Sequence, residues 1–127
     1  MHITGKIKEL LKQYAPLSDK YISDGALEGQ LGTFAVIPDG KDYPLRQYTD
    51  GSCVRRMRFK VMGKLPEGRG EDIENLRLMQ GISDYLSSIE YPDERTIGFK
   101  QISPPVMTHR ASGDGTYEFT AEAVYGM

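Results

Sequence analysis

Cys53-Val54-Arg55-Arg56-Met57-Arg58-Phe59-Lys60-Val61-Met62 is the stretch that decides the fold. Side chains alternate across a β-strand, so residues two apart share a face. Cys53, Arg55, Met57, Phe59 and Val61 fall on one side, and Val54, Arg56, Arg58, Lys60 and Met62 on the other. The first side turns inward from Met57 onward. The second is basic in its middle. A strand with one apolar and one cationic face belongs to a sheet that is covered on one side only.

The flanks fit a hairpin. Residues 45–49 form the first arm, and Asp50-Gly51 supplies the positive φ angles of a tight turn. Upstream, Thr33-Phe34-Ala35-Val36-Ile37 is a short β-prone run closed by the turn signal Pro38-Asp39-Gly40. Downstream, Pro66, Gly68 and Gly70 mark a loop. Glu71-Asp72 then places acidic residues at the positive end of a helix dipole. Ile73, Leu76, Met79, Ile82, Leu86 and Ile89 follow at helical spacing, and Tyr91-Pro92 ends the run. This stripe predicts the core helix.

The remaining segments extend the pattern. A strand is predicted over 96–102 and is interrupted by Pro104-Pro105, with 106–111 continuing the extended path. Ser112-Gly113-Asp114-Gly115 turns the chain. Residues 117–125 return with Tyr117, Phe119, Ala121, Ala123 and Tyr125 on one face and Glu118, Thr120, Glu122 and Val124 on the other. At the start of the chain, Ile3, Ile7, Leu10, Leu11 and Tyr14 share one side of a helix over 3–15, with Thr4 as N-cap and Pro16 as its stop. The predicted order is α-β-β-β-α-β-β. Without βαβ alternation, this implies an α+β fold: an antiparallel or mixed sheet with two helices packed on one face.

A chain of 127 residues builds one core, so residues 1–127 are expected to form a single domain. The net charge of -2 gives no global attraction to nucleic acid or anionic membrane. No apolar run is long enough to span a membrane, and the N-terminal segment is amphipathic rather than a secretory leader. One cysteine, Cys53, suits a reducing compartment. Its alternation with Met57 and Phe59 gives it a structural place rather than a nucleophile's.

No pattern points to catalysis. Gly63, Gly68 and Gly70 have neither the Walker nor the dinucleotide spacing. Neither His2 nor His109 joins a metal-ligand cluster, and no nucleophile elbow occurs. Asp114 between two glycines lacks the further oxygen ligands of a calcium loop. His109, next to Arg110, reads as a solvated polar residue before a turn. The expectation is no catalytic residue, no cofactor and no metal.

Two features suggest a partner surface. The basic stripe Arg56, Arg58 and Lys60 is either a solvated face, a surface for acidic groups on another subunit, or a contact for DNA phosphates. No aromatic residues alternate with it, which disfavours a single-strand stacking platform. The long connection over 16–32 carries Leu17, Tyr21, Ile22, Leu27 and Leu31. Connections of that length are usually functional or ordered by a partner. Its apolar residues either pack on the chain's own core or reach a neighbouring subunit, with Tyr21, Ile22 and Leu27 as the interface candidates.

The order of these elements resembles a known family. An amphipathic N-terminal helix precedes a hairpin whose long second arm runs from Cys53 to Met62. A helix of the type Asp72-Ile73-Glu74-Asn75-Leu76-Arg77-Leu78-Met79 follows, and the strand Thr116-Tyr117-Glu118-Phe119-Thr120-Ala121-Glu122-Ala123-Val124-Tyr125 comes last. This layout resembles the tail-terminator and minor capsid proteins of tailed bacteriophages and of prophages in Gram-positive bacteria. The resemblance implies a structural protein of virion assembly and no enzyme. It implies a homo-oligomer, a hexameric ring that caps the tail tube and joins tail to head. The implied partners are the tail-tube protein and a head-completion protein, with DNA passing the lumen at most non-specifically and no membrane. The implied places are the bacterial cytoplasm during assembly and the virion tail or neck. The alternative is a small-molecule-binding domain or small enzyme of unknown substrate.

Overall fold

Two long strands run side by side through the middle of the molecule. The computed structural model describes residues 3–23, 27, 31–39, 43–47, 53–66, 71–89, 96–111 and 114–126. Its helices are α1 (Ile3–Lys12) and α2 (Glu71–Ser88), with a 3-10 turn at Ala15–Leu17. Its strands are β1 (Tyr21–Ser23), β2 (Thr33–Pro38), β3 (Tyr43–Gln47), β4 (Cys53–Pro66), β5 (Thr96–Gln101), β6 (Val106–Ala111) and β7 (Asp114–Gly126).

β4 and β7 pair antiparallel along their whole length, from Val54 opposite Gly126 to Pro66 opposite Asp114. Four shorter strands share the outer sides of this spine. β2 and β3 pair with successive halves of β4, while β5 and β6 pair with successive halves of β7. β1 adds parallel to the outer side of β2. The sheet is therefore mixed, and the class is α+β as expected. The sequence order needs two refinements. Tyr21–Ser23 is an extra first strand, too short to show an alternation. The extended path over 96–111 is two strands separated by Pro104-Pro105, because proline cannot donate to a ladder.

Both helices lie on one face of the sheet. α2 packs on β4, β5 and β7, and α1 packs on β1, β2 and α2. Ile7, Leu10 and Leu11 of α1 and Met79, Ile82 and Leu86 of α2 join Phe34, Val36, Met57, Phe59, Val61, Tyr117 and Phe119 in one core cluster. Polar ties fix the helices in place. The Asn75 side-chain amide donates to the Pro66 carbonyl at 2.7 Å, and the Tyr85 hydroxyl donates to the Leu10 carbonyl at 3.1 Å. The Gln80 and Gln101 amides exchange hydrogen bonds at 3.0 and 3.2 Å, joining α2 to β5. Tyr14 stacks on Tyr85 with ring centroids 4.8 Å apart.

The helix boundaries differ from the periodicity reading at the first helix. α1 begins at Ile3, so Thr4 lies inside the first turn rather than at the cap. Its regular part stops at Lys12, and Pro16 enters the following 3-10 turn, where a missing N–H costs nothing. In α2 the apolar stripe leaves the core at its beginning, where Ile73 is 59% exposed. The hairpin of β3 and β4 is present, with Gln47 opposite Cys53, whereas its turn at Asp50-Gly51 lies outside the described residues. So does the helix stop at Tyr91-Pro92.

The pairing of β4 with β7 on the covered face follows a size rule. Phe59 sits opposite Ala121, Met57 opposite Ala123, Val61 opposite Phe119, Gly63 opposite Tyr117 and Leu65 opposite Gly115. Where one strand is bulky, the other is small or medium, so a layer of even thickness forms beneath the helices. Gly63 marks the tightest point, because Phe34 of β2 faces it from the other side. A Cβ on Gly63 would stand 2.8 Å from the Phe34 ring, which is itself buried.

Candidate functional site

The face of the sheet away from the helices carries a ladder of charge. Arg56, Arg58, Lys60 and Lys64 of β4 run beside Asp114, Glu118 and Glu122 of β7. Nε of Arg56 stands 2.9 Å from Oε2 of Glu122. Nε of Arg58 lies 3.7 Å from the same oxygen. Lys60 reaches Glu118 at 3.6 Å, and Lys64 reaches Asp114 at 3.8 Å. The basic stripe thus meets acidic groups, and those groups belong to its own chain.

The geometry of the ladder is diagonal. Arg56 is directly opposite Val124, Lys60 opposite Thr120 and Lys64 opposite Thr116, yet each bridges to the residue two positions earlier on β7. Twisted strands bring one diagonal neighbour within reach of long side chains, which explains the repeated offset. Arg58 alone bridges to the residue directly across from it. Glu122 is the hub of the ladder. Its side chain is only 6% exposed, and two guanidinium groups stand against its charge as ion pairs rather than as hydrogen bonds to Oε2. The alkyl stems of the arginines and lysines help cover this face.

The connection candidates separate. Ile22 is 1% exposed and packs in the chain's own core, as does Leu17. Strand pairing explains this: Ile22 sits beside Phe34 in the parallel ladder, so both side chains point toward α1. Tyr21 points the opposite way and is 55% exposed on the outermost strand. Leu27 is half-buried. His109 is exposed on β6, facing away from the helices opposite Thr116. Cys53 begins β4 opposite Gln47; its side chain lies outside the described residues.

Sequence reasoning missed a second place on the surface. Ile73, Leu76, Arg77 and Gln80 of α2, with Pro105 between β5 and β6, line a shallow open groove of about 290 Å³. That is at the small end of ligand pockets. It lies at the sheet edge opposite β1, where Ile102 and Val106 are also exposed. The signal was present in the exposed end of the α2 stripe, but periodicity does not tell how far a stripe extends under its cover. Among the described residues, no group of three or more His, Cys, Asp and Glu side chains could hold a metal ion. No helix among them is long and apolar enough to cross a membrane.

Among the described residues, the surface carries an internally paired charged face, exposed apolar side chains at two sheet edges, and a shallow groove. No protein-family model matches the chain, and no curated protein matches it either.

Proposed function

We propose that this chain is a structural assembly subunit of the tail-terminator type, acting as a ring of identical copies at the head-proximal end of a phage tail tube. The observation that carries the reading is the layout. An amphipathic first helix, a hairpin with a long second arm, a second helix and a last strand laid antiparallel along that arm occur in the order on which the resemblance rests. The surface supports it too. Among the described residues, no further strand pairs with the outer side of β1 or of β5, and sheet edges are natural places for one subunit to meet the next. The basic stripe favours a subunit over a nucleic-acid module, because its cations are engaged by the carboxylates of β7.

The test is direct. Sedimentation velocity and negative-stain microscopy of the purified protein, with and without tail tubes of the same phage, should give closed rings or capped tubes. A protein that stays monomeric at every concentration and leaves tubes uncapped sinks the proposal. The alternative, a small-molecule-binding domain, has the groove at Ile73 and Pro105 in its favour. A fragment screen followed by amide shifts would support it if saturable shifts cluster at Leu76, Arg77 and Gln80.

A further inference from the structure

We draw no further inference here: the strongest candidate, the shallow apolar groove between α2 and Pro105, carries none, because nothing in the structure shows what covers it and its wall residue Arg77 is already paired with Glu74.

Discussion

The two faces of the β4–β7 pair are built from the same twenty-odd residues of backbone pairing, yet they specify different things. On the open face, charges meet along a diagonal. On the helix-covered face, large side chains meet small ones directly across. Sliding β7 by two residues would bring Arg56, Lys60 and Lys64 directly opposite Glu122, Glu118 and Asp114. Attraction alone would tolerate that slip. The covered face would not: Phe59 would then oppose Phe119, and Gly63 would oppose Gly115. One site would be overpacked and the other left as a void, and both are costly in a close-packed interior. Shape on the buried face thus decides the register, and charge on the open face accommodates it.

That contrast can be broken from either side, and the largest effect should come from the covered face. Phe119→Ala removes a buried ring opposite Val61 and should cost about 3–5 kcal/mol, read as a fall in the urea midpoint with an unchanged m-value. Gly63→Ala puts a methyl where the Phe34 ring lies and should cost about 1–3 kcal/mol. Adding Phe34→Leu to that variant should recover part of the loss, since the residues touch and their effects are not additive. A full loss that Phe34→Leu leaves untouched would show that the crowding at Gly63 does not come from the Phe34 ring.

The open face should respond less. Glu122→Gln leaves Arg56 and Arg58 without their carboxylate and should cost about 1–2 kcal/mol, with less dependence of stability on salt than in the wild type. Lys60→Gln breaks a longer, more exposed pair and should shift stability by no more than about 0.5 kcal/mol. A loss at Lys60 as large as that at Gly63 would reverse the ranking of the two faces. Hydrogen exchange on the Lys60 variant should leave the β4–β7 amides protected, if register is held from the covered side.

Much of this was legible from residue order. Alternation in β4 and β7 assigned Met57, Phe59, Val61, Tyr117 and Phe119 to one side of their strands and Arg56, Arg58, Lys60, Glu118 and Glu122 to the other. Helical spacing found Met79, Ile82 and Leu86. What escaped was set by contact between distant segments. Ile22 looked like loop material because a strand of three residues has no period to read, and it became core only by lying beside Phe34. Ile73 looked like core because it continues a stripe, and it is exposed because it turns toward the open groove beside Pro105. The basic stripe left its partner open, since nothing local to Arg56 or Arg58 says that Glu122 lies alongside.

Local rules were therefore sufficient for the class, for the two faces of each long strand and for the single apolar layer, because periodicity is a property of neighbours along the chain. The pairing partner of the cations, the crowding at Gly63, and the placing of the exposed Tyr21 and the groove at opposite edges belong to the tertiary structure. Each depends on which strand lies next to which and in what register, and that is settled only when side chains from distant segments must share one volume.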